Sequence, residues 1–258
     1  MKLDMMFFTS RLLRSGLSIL GVAALAACSA PDTTVDRGQG INDPYEQTNR
    51  SIHAFNRGLD RALVRPAAKG YSSLLPDEIE DSIGNFAENV SLPGVTVNAL
   101  LQADGRTAGL SVVRLLVNTG LGFGGLFDVA SDFGIEEADT DFGETLHVWG
   151  AGEGVYVELP GIGPSTGRDA AGKVVDVFTN PLSYILPSPE KYYGTGASVA
   201  ARLGDRGRFS DTVDAILYES ADSYAQARLI YLQSRRFELG DTSATPEIDP
   251  FALDTEGF

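Results

Sequence analysis

The sequence predicts a mostly α-helical fold with little strand, assembled from short amphipathic helices. Three observations lead there. Apolar residues recur at helical spacing in segment after segment, and Pro or Gly divides the segments into lengths of about one to four turns. Only Tyr156 to Leu159 alternates in the manner of a strand. The stretch Thr107 to Ala130, TAGLSVVRLLVNTGLGFGGLFDVA, has a helical first half that is apolar almost all round, with one narrow polar stripe.

Taken in order, residues 1–27 read as an export address. Lys2, Arg11 and Arg14 form a basic region, and Leu17 to Ala27 is an apolar run too short for a stable span. It ends in Leu25-Ala26-Ala27-Cys28, which looks like a bacterial lipobox. In that reading cleavage follows Ala27, and Cys28 receives an S-diacylglycerol and an N-acyl chain. Two acyl signals already suffice for stable anchoring. The alternative is a plain secretory peptide that happens to end in Cys. Ser29 stands where an Asp would retain a lipoprotein in the inner membrane, which points to the outer membrane. Residues 28–41 are a polar tether without periodicity, and the folded body is expected over 42–239.

Asp43-Pro44 opens the first helix, with Asp at the N-cap and Pro at the first helical position. Ile52, Phe55, Leu59 and Leu63 follow at helical spacing. Pro66 is expected to reset the chain into a short second helix ending near Leu75. Pro76-Asp77 opens a third, with Ile79, Ile83, Phe86 and Val90 on one side, and Pro93 is expected to break it. A short apolar segment, Gly94 to Gln102, precedes the central helix, which Asp104 caps. Beyond Ala130 the chain turns acidic. A short helix is expected over 142–149, a stiff Pro/Gly loop over 160–164, helices over 168–178 and 190–203, and an apolar loop over 182–186. A last long helix covers 211–237 with a bend at 220–223. The acidic, aperiodic tail over 240–258 reads as disordered.

Composition narrows the function. The formal net charge is −15, which excludes general nucleic-acid binding and disfavours purely electrostatic attachment to anionic lipid. The single Cys rules out an intrachain disulfide framework, and two His, at 53 and 147, leave little for a histidine-based metal centre; no cofactor is expected beyond the Cys28 lipid. Asp139 and Asp141 lack an EF-hand pattern. Gly163-Pro164-Ser165-Thr166 lacks the nucleophile elbow of hydrolases, and no convincing nucleophile–base pair is visible.

The candidate site lies on the central helix. Thr107, Ser111, Arg114 and Asn118 fall within about 60° of one another on a helical wheel. Two environments suit such a stripe. One is a core where it is hydrogen-bonded internally, with Arg114 paired to a carboxylate such as Asp128. The other is a polar passage flanked by apolar surface, in which Arg114 meets a phosphate and Arg114→Ala leaves folding largely intact. Gly120, Gly122, Gly124 and Gly125 permit a hinge or tight packing; no Lys-Ser/Thr follows them to make a nucleotide loop.

A resemblance then enters. Asp43-Pro44-Tyr45-Glu46 with Asn49-Arg50 and Phe55-Asn56, Val64-Arg65-Pro66, and Asn118-Thr119 with Gly122, Gly124-Gly125 and Asp128-Val129-Ala130 recur in one family's order. Phe142-Gly143-Glu144-Thr145-Leu146 and Tyr156-Val157-Glu158-Leu159-Pro160 through Gly163-Pro164-Ser165-Thr166 to Arg168-Asp169 continue it. With these blocks the chain resembles the MlaA/VacJ family of outer-membrane lipoproteins from about Asp43 to Arg236. It departs at Asp222-Ser223-Tyr224, where the family has Asp-Pro-Tyr, and at Thr48, where an aromatic is frequent. The resemblance implies a compact ring-like body lying in one leaflet, around an amphipathic passage, beside trimeric porins. It implies removal of mislocalised phospholipid from the outer leaflet and delivery to a soluble periplasmic carrier, without bond chemistry. A structural lipoprotein that scaffolds porins is the competing expectation; it predicts an internally satisfied stripe and no continuous passage.

Overall fold

The computed structural model describes residues 41–137 and 139–240. The export segment, Cys28 with most of its tether, and the acidic tail beyond Gly240 lie outside the described residues. Some helices begin at side-chain caps, but the first does not: it starts at Glu46 with Tyr45 at its N-cap, later than the expected Asp43-Pro44 start, and Asp43 pairs with Arg228 instead. Asp104 accepts from the backbone N–H groups of Arg106 and Thr107, Asp141 from Glu144, Thr166 from Asp169 and Asp222 from Ala225. Each cap satisfies a donor that the first helical turn leaves without a partner.

The helices are α1 (Glu46–Leu59), α2 (Arg65–Leu74), α3 (Asp77–Leu101), α4 (Gly105–Gly120), α5 (Val129–Asp132) and α6 (Phe142–Val148). After a hairpin come α7 (Gly167–Thr179), α8 (Leu182–Ile185), α9 (Tyr193–Arg208), α10 (Ser210–Asp214) and α11 (Ser223–Glu238). The hairpin pairs β1 (Tyr156–Leu159) with β2 (Gly163–Thr166), Tyr156 opposite Thr166 and Leu159 opposite Gly163. The expected stiff loop is thus partly a second strand, and the expected apolar loop at 182–186 contains the single turn α8. The bend near 220 is a full break between a π turn, Ala215–Glu219, and α11.

Both proline expectations need correction. Pro66 does not reset the chain. A π turn, Asp60–Val64, joins α1 to α2, and the N–H of Arg65 reaches back to the Asp60 carbonyl. The wider turn shifts the hydrogen-bond ladder just before the proline, where a missing N–H would otherwise leave a gap. Pro93 lies inside α3, which continues unbroken for 25 residues and absorbs the segment 94–101. Asn180 donates its side-chain amide to the Val90 carbonyl at 3.0 Å, giving the turn that proline disturbs a partner from outside the helix.

Packing closes a ring. α1 runs through the π turn into α2, α2 lies on α9, and α9 lies on α3. The C-terminal part of α3 meets α6 and α7, α7 meets both strands, and β1 returns to α1. Arg206 ties α9 to the α1–α2 junction through Asp60 and to Asp214, which Arg65 also holds. α4 packs along α3, and α5 folds back on α4.

The polarity of this ring is inverted. One small apolar cluster, Tyr156, Tyr224 and Leu232 with Ile41 and Tyr231, holds the hairpin to α11. Elsewhere, among the described residues, five of the seven buried apolar side chains are alanines, while Leu74, Leu116, Phe123, Val177, Ile185 and Phe237 are exposed. An exposed apolar surface of this extent marks contact with lipid or with another protein. No helix of the described residues is long and apolar enough to cross a membrane.

Candidate functional site

The polar stripe of α4 points inward. Ser111, Arg114 and Asn118 are buried, whereas Val112, Val113 and Leu116 face out, Leu116 with 67% of its surface exposed. Arg114 is 4% exposed. Its Nη2 donates to both oxygens of Asp128 at 3.0 and 2.9 Å, and its Nη1 to Ser131 Oγ at 3.2 Å and the Ile135 carbonyl at 2.7 Å. Asn118 donates to Asp128 Oδ1 at 2.9 Å and accepts the Ala130 N–H at 2.8 Å. Burial opposes charge on Asp128, but hydrogen bonds from Ser131, Asn118 and Arg114 outweigh it and hold the carboxyl below its ordinary range.

The four stripe residues therefore divide. Ser111 is fully buried and shares a 2.8 Å hydrogen bond with Thr96. Thr107 gives its N–H to the Asp104 cap. Only Arg114 and Asn118 border open space. Because Arg114 is the cationic partner of Asp128, Arg114→Ala is expected to cost stability rather than leave folding intact, since it strands a partly buried carboxylate.

The glycines divide too. A Cβ on Gly122 would stand 2.2 Å from the Phe127 carbonyl oxygen, and one on Gly125, at φ +95°, 2.4 Å from Asn89 Nδ2. These two are packing positions. Gly124 and Gly120 both have open space where a Cβ would stand, so neither is a tight-packing position; Gly124 alone of the two has a left-handed φ, +77°. The loop they make holds Phe123 at φ +54° and 79% exposed, edge-on to Phe127.

The open space lies along α3. Glu80, Gly84, Glu88 and Leu92 step by four residues, with Asp81, Asn85 and Asn89 beside them, and form one wall. Toward α4 this wall encloses a cavity of about 180 Å³ with Arg114, Asn118, Asp128, Glu137 and Asp139. Toward α9 it encloses one of about 360 Å³ with Ala201, Gly204, Asp205 and Arg208. Asn85 and Glu88 line both, so the two cavities are neighbours along one polar face of α3. Carboxylates dominate it. Glu88 and Asp139 keep exposed surface; partial desolvation at the wall, then the charges of Glu137 and Asp128, push Glu88 up, and partial desolvation, then Asp141 and Glu137, push Asp139 up. Glu80 is 6% exposed, yet its Oε1 has no hydrogen-bond partner, and Asn89 Oδ1 has none either.

Sequence reasoning missed this wall. It followed the apolar residues of the third helix, although the four-residue step of 80, 84 and 88, with a glycine between two carboxylates, was there to read.

Sequence reasoning also found no nucleophile with a base, and the fold assembles one. His53 Nε2 lies 3.0 Å from Ser223 Oγ, and His53 Nδ1 lies 3.3 Å from Glu158 Oε1. With Glu158 ionised, Nδ1–H donates to it and Nε2 accepts from the serine hydroxyl. All three are buried, Glu158 also accepts from the Tyr156 hydroxyl at 2.6 Å, and Arg57 donates to Ser223. The cluster fastens α1, β1 and α11 together. Neither of the two cavities along α3 reaches it. His147 lies 3.4 Å from Arg168 Nη1. Asp141 caps α6 and pairs with Arg235. No group of three His, Cys, Asp or Glu among the described residues is placed to hold a metal ion.

With this geometry described, known proteins can be set beside it. A family model described as MlaA lipoprotein matches residues 41–238. The Escherichia coli "Intermembrane phospholipid transport system lipoprotein MlaA" is 33% identical over 246 residues, which span 93% of this chain and 94% of that one. The Haemophilus influenzae protein of the same name is 29% identical over 87% of this chain and 89% of its own. An uncharacterized protein of Rickettsia bellii is 36% identical over 76% of each chain. A solved structure reported under "Structural basis for maintenance of bacterial outer membrane lipid asymmetry" superposes with a TM-score of 0.66 at 32% identity, covering 76% of this chain and 98% of that one.

Proposed function

Because the chain belongs to the MlaA lipoprotein family, we propose that it is an outer-membrane lipoprotein that carries phospholipid. In this reading Cys28 bears the acyl anchor, and the ring lies in the inner leaflet facing the periplasm. The ring draws mislocalised phospholipid from the outer leaflet and passes it to a soluble periplasmic carrier, beside a trimeric porin, and makes or breaks no bond. The observation that carries the reading is the pair of adjacent polar cavities along α3 in a body that exposes many large apolar side chains.

A phospholipid joins a charged head to two apolar tails. Moving the head through a leaflet without polar partners leaves its charges unpaired, at a cost of several kcal/mol. The cavity walls offer carboxylates, amides and, from α9, Arg208 in place of water. Exposed apolar side chains such as Val112, Val113 and Leu116 suit the acyl chains and the surrounding leaflet. Arg114 and Asn118 wall one of the two cavities in this proposal, and Ser111 and Thr107 hold α4 in place.

The scaffold reading has one observation in its favour, the internally bonded stripe of α4. It makes no use of the cavities. Outer-leaflet phospholipid, labelled with an outer-leaflet-specific lipase, separates the two in cells lacking the protein. Accumulation reversed by wild type but not by Cys28→Ala is the expected result. No accumulation in a strain without a redundant homologue would overturn transport in favour of the scaffold.

A further inference from the structure

We propose that the cavity between α3 and α9 is a subsite for the primary ammonium of an ethanolamine-type phospholipid head group, with Glu80 as its anchor. The proposal rests on the transport reading above and adds head-group selectivity to it.

Glu80 is the starting observation. Its carboxyl is more than nine-tenths buried, borders the 360 Å³ cavity, and has one oxygen without any hydrogen bond. Other buried carboxylates of this fold are bonded. Glu158 accepts from Tyr156 and Asn56, and Asp169 from Tyr231 and Arg168. Leaving a buried acceptor of this kind unmade is unfavourable, so its occurrence at a cavity wall marks the position of a donor that arrives from outside. Gly204 supports the same reading. A Cβ there would stand 3.1 Å from Glu80 Oε2, so the glycine leaves the carboxylate its room.

The wall selects the charge of that donor. Asp81, Glu88 and Asp205 join Glu80, and the one cation of this cavity, Arg208, is engaged by Asp81 at 2.6 Å. The net field favours a cation.

The wall also selects the kind of cation. No metal-holding group exists among the described residues. A quaternary ammonium has no N–H to give and is usually held by aromatic faces, and this cavity has no aromatic residue on its wall. A primary ammonium carries three N–H donors and can bond Glu80 while facing Glu88. The zwitterion then fits in one direction. Its nitrogen sits inward at Glu80, and its phosphate lies outward by Arg208, whose pair with Asp81 is about half exposed and free to exchange partners.

The test loads full-length lipidated protein in mild detergent with an equimolar mixture of four lipids with identical acyl chains. They are phosphatidylethanolamine, its N-acetyl derivative, phosphatidylcholine and phosphatidylglycerol, and retained lipid is counted by native mass spectrometry. Wild type is expected to retain phosphatidylethanolamine over the N-acetyl form by about tenfold, the value of one charge-assisted hydrogen bond. Glu80→Gln is expected to bring that ratio below about threefold. Equal retention of all four lipids by wild type overturns the subsite and leaves transport standing. It is also the result expected if a protein lysine, and not a lipid, fills the cavity. Failure to retain any lipid overturns the transport reading and the subsite with it. The wild-type comparison decides even where the variant does not fold.

Discussion

Arg114 and Glu80 are both buried charges on neighbouring packed helices, and they stand at opposite extremes of satisfaction. Arg114 meets Asp128, Ser131 and a main-chain carbonyl. Glu80, on the wall of a cavity, leaves a buried oxygen without a hydrogen bond. The difference teaches that burial and charge do not by themselves mark a functional group. A buried charge with its full set of partners is architecture, and one that lacks partners beside open space is where a ligand completes the set.

The sharpest way to break this contrast is to remove the satisfied charge. Arg114→Ala leaves Asp128 without its cation and is expected to destabilise the fold by about 3 kcal/mol. For a chain of this size that is a fall in Tm of roughly 6–12 °C, read by thermal melting in detergent. A variant as stable as wild type would mean that the Arg114 network is dispensable, and the assignment of Arg114 to architecture would fail.

This contrast also explains what the sequence could and could not disclose. The helix start at Asp104 was legible because a cap is settled within three residues. The stripe of α4 was legible as a stripe, and Asp128 as its natural partner. The fate of Pro93 was not, because its helix is supported by Asn180, nearly ninety residues away in the chain. The α3 wall was obscured for the same reason. Glu80 and Glu88 read as a solvated face until α9 covers one of them, and only the fold decides which. The His53 cluster draws on three segments, and its Ser223 sits where the chain departs from the family pattern.

A second prediction tests the hinge between the two regions. Asn89 lies between the cavities' shared wall and the glycine loop, donating to Thr119 at 3.0 Å. Gly125→Ala drives a methyl into Asn89 at a left-handed φ and is expected to destabilise by about 2 kcal/mol. Gly120→Ala, at a helical position with open space, is expected to stabilise by up to about 0.5 kcal/mol. Urea unfolding of the pair reads both signs. Equal effects would show that the loop tolerates a side chain at Gly125 and does not position Asn89.

Removing the unsatisfied charge is expected to do less and in the other direction. Glu80→Gln keeps the shape and takes away an unpartnered buried charge, so stability is expected to rise by up to about 1 kcal/mol. A loss of 2 kcal/mol or more, by the same unfolding measurement, would mean Glu80 has protein partners in solution, and the contrast with Arg114 would collapse.

The smallest effect belongs to a charge pair that is neither buried nor bare. Asp222 receives both Arg50 Nη atoms at 3.0 and 2.8 Å and caps α11 through the Ala225 N–H. The Arg50 bond first, then that N–H, lower its carboxyl from 3.8 to about 2. A lowered folded pKa means that this contribution is complete above about pH 3.8 and is lost as pH falls toward 2. Both side chains are more than 40% exposed, so water and salt screen the pair, and its worth is expected to stay under about 1 kcal/mol. Asp222→Asn retains the cap and removes only the ion pair. The stability difference between wild type and variant, followed by urea unfolding from neutral pH downward, is expected to be small, to shrink with added salt, and to vanish near pH 2. A difference above 2 kcal/mol that survives molar salt would place this exposed pair beside Arg114 as architecture, and exposure would no longer separate the charges that hold this ring from those that merely decorate it.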